Sequence, residues 1–224
     1  MLPWIELATA RVPGDGAPLR LMQRGSEFSI MAGPIELMNS RLSGSEEALA
    51  TLSLARLAAR RAPAILVGGL GLGFTLRALL AVAPPAARIT VAELVPEIIA
   101  WARGPLAPLH AGSLDDSRVT LETGDVLAAM ASRPAACDAI LLDVDNGPNG
   151  LSRRANDALY APAGLATARA ALRPGGVLAI WAAGPDAGFT RRLGKAGFIV
   201  DEVPTRARQG GRGARHMIWL ATRR

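Results

Sequence analysis

Residues 65–75 read ILVGGLGLGFT: an apolar run, a glycine-rich turn and then a helix-like segment. Glycine at 69, 71 and 73 lets backbone come close to a ligand where a Cβ would collide. The helix that follows offers unpaired N–H groups to whatever lies over the turn. This is the strand–loop–helix opening of a nucleotide-binding α/β domain. Three kinds of glycine loop share that outline. A phosphate-cradling loop ends in Gly-Lys-Ser/Thr, whereas Gly73 is followed by Phe74-Thr75. A dinucleotide fingerprint needs G-x-G-x-x-G/A, and its last position here falls on Phe74 or Leu76. What remains is G-x-G-x-G with an acid, Glu93, ending the next strand. A carboxylate there can accept hydrogen bonds from both hydroxyls of a ribose.

The rest of the chain is arranged around this loop. Residues 4–8, 19–24, 28–32 and 35–38 read as short strands broken by Gly14-Asp15-Gly16, Gly25-Ser26 and Gly33-Pro34, a small N-terminal β element over residues 1–42. Residues 44–60 read as a helix with Ser45 at its N-cap and Glu46 and Glu47 suited to the positive first turn. Strands are then expected at 64–68, 88–93, 118–122, 137–143 and 177–181, alternating with helices at 74–82, 96–103, 126–132, 163–172 and 187–196. Residues 146–156 are Gly/Pro/Asn-rich and read as a loop, and residues 173–176 as the turn that ends a helix. Two final strands, 198–203 and 216–221, have no helix between them, so the last should run antiparallel. Strands alternating with helices predict a doubly wound α/β sheet over residues 43–224.

Composition narrows the class further. At 224 residues the chain is one ordinary domain with a small appendage. Cys137 stands alone, which excludes an intrachain disulfide and a cysteine-based zinc site. No apolar run approaches a membrane span, and the N-terminus lacks a signal-peptide pattern, so a soluble cytoplasmic protein is expected. The net charge of +6 and pI near 11.0 favour anionic partners in a non-specific way.

Four segments in order, ILVGGLGLGFTLRALL, ITVAELVPEIIAWA, LDDSRVTLETGDVLAAM and AILLDVDNGP, resemble the spermidine synthase family over residues 60–150. The similarity extends more weakly to the N-terminal strands, to GSEEALATL and to RPGGVLAIWAA. It implies the class I fold of S-adenosylmethionine-dependent methyltransferases, Rossmann-like, in the strand order 3-2-1-4-5-7-6. It also implies a transferase whose cofactor is S-adenosylmethionine or its decarboxylated form. Carried over by position, Gly69, Gly71 and Gly73 pass under the methionine side of the cofactor and Glu93 holds the ribose hydroxyls. Asp125 lies beside the adenine and accepts its amino group. Asp143, at the tip of the fourth strand, faces the reacting centre, where a carboxylate can bind an ammonium acceptor and take its proton. Asp145 supplies a second negative charge. The N-terminal strands resemble a dimerisation element of the family, which implies a homodimer.

The chain departs from that pattern at instructive places. Leu72 stands where the family carries an acid that helps hold the amine of the decarboxylated donor. Val67 stands where general methyltransferases place one. The second carboxylate after strand four is displaced to Asp145, and a Tyr-His-Glu element is replaced by GSEEALATL. The expected activity is therefore that of a spermidine-synthase-like transferase on a small acceptor: a methyltransferase or a divergent transferase. The alternatives are a polyamine aminopropyltransferase, an inactive cofactor-binding protein, and an RNA methyltransferase using its basic hairpin.

Plainer readings stand beside these. Asp125 suits the N-cap of the helix at 126, and Asp143 and Asp145 suit turn chemistry before Asn146-Gly147-Pro148. Tyr160 and the tryptophans read as packing, with Trp181 at the border of a substrate pocket as the alternative. Cys137 reads as inert core, and His110 and His216 lie too far apart in sequence to suggest a metal pair, so no metal site is expected. The run 205–215, with Arg206, Arg208, Arg212 and Arg215, reads as a solvated loop in a hairpin. It lacks the aromatic residues that stack bases, so a small molecule, an amine among the candidates, is favoured over nucleic acid.

Overall fold

The computed structural model describes residues 2–14, 17–57, 59–144, 147, 154–208 and 212–224. Strands β1 (Ile5–Ala10), β2 (Leu19–Arg24), β3 (Glu27–Ala32) and β4 (Ile35–Asn39) form an antiparallel meander, a four-stranded sheet in the order β1-β2-β3-β4. Its strands alternate, so that Leu19, Leu21 and Ile30 turn inward and are buried. Helix α1 (Gly44–Ala55) then leads to the second sheet.

That sheet begins with β5 (Ala64–Gly68), α2 (Phe74–Val82), β6 (Arg88–Glu93), α3 (Pro96–Arg103), the single turn α4 (Ala107–His110) and β7 (Val119–Thr123). It continues through α5 (Val126–Ala131), β8 (Cys137–Leu142), α6 (Arg154–Tyr160), α7 (Pro162–Ala171), β9 (Leu172–Ala182), α8 (Ala187–Lys195), β10 (Phe198–Arg208) and β11 (Arg212–Arg223). The seven strands lie in the order β10-β11-β9-β8-β5-β6-β7. Counted from β5, this is the expected 3-2-1-4-5-7-6. Strand β11 is antiparallel to both β9 and β10, because a hairpin too short for a crossover helix can join only antiparallel neighbours.

Four of the five β5 residues are fully enclosed, as a parallel strand covered on both faces must be. Successive residues serve opposite cores. Val67 joins Leu49, Leu76, Leu79, Val91 and Ile218 beneath α1, α2 and α3, together with Leu21 and Ile30 of the first sheet. Leu66 joins Ile140, Leu165, Leu178, Phe189 and Trp219 beneath α5, α7 and α8. No helix among the described residues is long and apolar enough to cross a membrane.

Several local expectations are corrected. Ser43, not Ser45, is the N-cap of α1; Ser45 lies inside the first turn and is fully buried. The helix ends at Ala55 rather than 60, unwinding through three-residue turns at Arg56, Leu57 and Arg60. Most of 205–215 is strand, with Thr205 opposite His216, Arg206 opposite Arg215 and Arg208 opposite Arg212. Of the loop expected at 146–156, residues 154–156 belong to α6; the rest, apart from Gly147, lies outside the described residues.

Residues 173–176 are a bulge within β9, not the end of a helix: Cys137 pairs with Leu172, but Ala139 pairs with Val177. The bulge makes room for Asp138, which is buried at 1% exposure. Its carboxylate accepts the Ala64 N–H and an Arg173 guanidinium N–H, both at 2.7 Å, and pairs with Arg60 at 2.7 Å. One side chain thereby ties the start of β5 to β8 and β9. Asp138→Ala should lower unfolding free energy by about 2–4 kcal/mol, because it leaves an amide unpaired and two cations without their anion. Urea titration checks this, and a loss under about 0.5 kcal/mol, the range of an ordinary surface substitution, would refute the clamp.

Candidate functional site

The glycine loop leaves β5 at the carboxyl end of the sheet, beside the point where the strand order reverses between β5 and β8, the position at which open α/β sheets bind ligands. Gly69, Gly71 and Gly73 have φ of +89°, +49° and +82°, conformations that side chains rarely adopt. Each is also crowded by the protein itself. A Cβ would lie 2.6 Å from the Asp143 carbonyl oxygen at Gly69, 2.9 Å from Met38 Sδ at Gly71 and 2.4 Å from the His110 ring at Gly73. The glycines are thus demanded by packing as well as by any ligand. His110 is buried, its pKa lowered to about 4 by burial and by nearby Arg77, so it is neutral at pH 7.

Glu93 ends β6 next to this loop, at 5% exposure. Its Oε2 accepts the Leu70 N–H at 2.8 Å and its Oε1 accepts the Val95 N–H at 2.9 Å. Burial pushes its pKa up and these amides pull it back. A carboxylate has about four lone-pair positions, so both oxygens keep acceptor capacity toward the cavity that Glu93 lines. Asp125 combines its two sequence readings. It is the N-cap of α5, accepting the Leu127 N–H at 2.8 Å, and it also lines the cavity.

That cavity measures about 320 Å³. Gly69, Gly71, Glu93, Asp125 and Asp143 contribute from the sheet, while Leu94, Val95 and Ile98 form one apolar wall. The first sheet roofs it with Val12, Leu19, Ile30, Leu37 and Met38. Its charged lining is acidic throughout: Glu93, Asp125 and Asp143, with no basic side chain among the described residues. A pyrophosphate would meet only like charge here, whereas a sulfonium cation meets charge of opposite sign. The donor set therefore fits a nucleoside with a cationic tail.

Asp143 follows β8. Its carboxyl sits deep in the protein but keeps a face on the cavity. Thr75 Oγ1, in the first turn of α2, donates to its Oδ2 at 2.5 Å. Burial raises the Asp143 pKa and the threonine lowers it. Asp145 lies outside the described residues.

Sequence reasoning gave no site role to Glu46, Ser45 or His216, which one chain of hydrogen bonds links. Glu46, in the first turn of α1, has a pKa raised to about 7, first by burial and then by the charge of Asp143. Ser45 Oγ donates to Glu46 Oε2 at 2.6 Å, and His216 Nδ1 lies 2.8 Å from the same hydroxyl. His216 and Ser45 are 171 positions apart, so no linear motif could join them. Trp181 packs edge-on to His216, with ring centroids 4.8 Å apart, rather than lining the cavity. Tyr160 is buried against Phe189, its hydroxyl toward the Val144 carbonyl. Cys137 is buried, with its thiol pKa raised by desolvation.

No family model matches the chain. Polyamine aminopropyltransferases of Mycobacterium tuberculosis and Mycobacterium bovis are 35% identical to it over 127 residues, 55% of this chain. That match spans only 23% of the relatives' own length. The spermidine synthase of Thermotoga maritima superposes with a TM-score of 0.76 at 18% identity, covering 98% of this chain and 73% of that one. The fold is spermidine-synthase-like. A spermidine synthase bound to the transition-state analogue AdoDATO gives a TM-score of 0.75 at 17% identity, covering 98% and 72% of the two chains. Human methyltransferase-like protein 13 in complex with SAH gives 0.60 at 24%, covering 80% and 82%. The architecture is thus the class I methyltransferase fold, with the four-stranded N-terminal sheet in addition.

In this spermidine-synthase-like chain, Glu93→Gln turns an amide N–H toward one of the two backbone N–H groups that Glu93 now satisfies. Unfolding free energy should fall by about 1–3 kcal/mol, the cost of a buried donor left unpaired. Thermal and urea denaturation read the change, and wild-type stability in the variant would show that the carboxylate does not hold the loop.

Proposed function

We propose that this protein is a transferase that moves an alkyl group from an adenosyl sulfonium donor to a nitrogen of a small cationic acceptor. The observation that carries this reading is the cavity under the glycine loop, whose charged lining is acidic although the chain as a whole carries +6. Glu93 would hold the ribose hydroxyls through its remaining lone pairs, and the free oxygen of Asp125 would accept from the adenine amino group. The loop from Gly69 to Gly73 would run under the amino-acid end. The donor supplies an electrophilic carbon on a positively charged sulfur.

Asp143 would act on the acceptor. Alkylation needs a nitrogen lone pair, so an ammonium must first lose a proton, and a carboxylate with a raised pKa is a better proton acceptor than an ordinary one. Thr75 fixes the carboxyl through Oδ2, leaving Oδ1 for the acceptor.

Methyl transfer from S-adenosylmethionine is the form we favour. Leu72 is buried in the apolar core, so the loop position at which the resembled family holds the amine of a decarboxylated donor offers no carboxylate. Aminopropyl transfer is the second reading. It is favoured by the 127-residue match to polyamine aminopropyltransferases and by an acidic cavity that would suit a polyamine.

Calorimetry with S-adenosylmethionine and with its decarboxylated form separates the two, and binding of neither would overturn the cofactor assignment. Asp143→Asn should retain donor binding yet lower kcat by about 10²-fold or more, the usual contribution of a general base. Unchanged turnover would remove Asp143 from the mechanism. We also propose a homodimer through the N-terminal element, where Leu2, Ile5, Leu7 and Ile35 are exposed. Light scattering should give twice the chain mass of 23.3 kDa, and a monomer at micromolar concentration would refute it.

A further inference from the structure

The three acids of the cavity face different parts of what it would hold. Strands β7, β6, β5 and β8 lie side by side in that order, and Asp125, Glu93, the glycine loop and Asp143 stand at their ends in the same order. A donor with its adenine at Asp125 and its ribose at Glu93 brings its sulfonium to the loop, beside Asp143. Two acids therefore face the donor, and among the described lining only Asp143 is left for the acceptor.

The rest of the lining on that side is apolar. Val144, next in the chain, packs in the same apolar cluster as Leu159, and both line the cavity. The first sheet adds Leu19, Ile30, Ala32, Leu37 and Met38, and no described residue of 1–42 brings a hydroxyl, an amide or a charged side chain to the lining. Met38 reaches the glycine loop itself, its Sδ 2.9 Å from where a Gly71 Cβ would stand. The described acids of the first sheet are engaged elsewhere: Glu6 pairs with Arg20 at 3.6 Å, Glu27 with Arg24 at 2.6 Å and Glu36 with Arg41 at 3.1 Å. Glu36 stands between the lining residues Ile35 and Leu37, yet it accepts the Ser29 hydroxyl at 2.8 Å and the Asn39 amide at 3.1 Å.

Resting on the transferase reading above, we propose that the acceptor is a lipophilic monoamine, with one ammonium at Asp143 and an apolar body under the first sheet. A second ammonium under this roof would lose its hydration without gaining an anion. Hydrocarbon in the same place is favoured in proportion to the area it buries. The two ends of the acceptor are thus selected by opposite rules: the Asp143 carboxylate takes the one charge and then its proton, and the roof rejects another. A polyamine satisfies the first rule and breaks the second.

Calorimetry at pH 8 on the whole chain, saturated with S-adenosylhomocysteine so that no transfer occurs, tests this. The probes are pentylamine and putrescine, chains of equal length that end in a methyl group or in a second ammonium. Pentylamine should bind about tenfold tighter or more, and affinity should rise about threefold or more for each methylene from propylamine to pentylamine. Leu37→Glu puts a carboxylate at a half-buried position of the roof and should reverse the order of pentylamine and putrescine. Equal or tighter binding of putrescine by the wild type would overturn the proposal, as would a flat alkylamine series or the failure of both probes to bind. An unchanged preference in folded Leu37→Glu would also overturn it, because the body would then not lie under the first sheet. If S-adenosylhomocysteine does not bind, the transferase reading falls and the acceptor with it; if it binds and the amines do not sort in this way, the acceptor class alone falls.

Discussion

The Glu93 carboxylate, accepting one N–H from the glycine loop and another from the start of the segment after β6, joins the two parallel strands on which the site is built. Neither strand end could keep its shape alone. The loop after β5 uses backbone angles that cost free energy for most residues, and a buried amide without a partner costs more. One anion satisfies both ends at once. Because its oxygens each have a further lone pair, the group that shapes the loop is also available to a ligand lying over it.

From that joint the electrostatics of the cavity follow. A net charge of +6 would attract anions to an evenly charged surface, yet the described arginines lie away from the cavity. Arg60 and Arg173 neutralise Asp138 at the opposite end of the strands. Arg206 and Arg215 face one another across the β10–β11 hairpin. The cavity keeps Glu93, Asp125 and Asp143 without a basic partner in its lining, and burial raises the pKa of Glu93 and Asp143. The local field, not the net charge, determines which ligand is welcome, because interactions through low-dielectric protein outweigh those screened by solvent.

Much of the fold was legible in the residues. Continuous apolar runs such as 64–68, glycines after a strand and prolines at helix starts are local signals, and they placed β5, α2, β6 and α3 at their observed bounds. The strand order also agrees with the resemblance, down to the antiparallel last strand. Errors arose where tertiary contacts override local preference. Pro174-Gly175-Gly176 looks like a terminator, but the buried Asp138 turns it into a bulge. The arginine-rich stretch looks like a loop, but cross-strand pairing extends the hairpin through it. Ser45 looks like a cap, but the cap lies two residues earlier and frees Ser45 for His216.

By itself the sequence determined the strand–loop–helix core, the acid after the second strand, the acid after the fourth and the class of fold, because each depends on neighbours within a few residues. Tertiary structure alone decided that Thr75 joins Asp143 to the start of α1, that His216 meets Ser45, and that the first sheet roofs the cavity. Those contacts join α1, α2, β8 and β11, and distance in space between elements leaves no trace in the spacing of residues along the chain. The loop at 69–73 is where the two levels meet: its glycines are visible in the sequence, but the Asp143 carbonyl, Met38 and His110 that forbid a Cβ there are visible only in the fold.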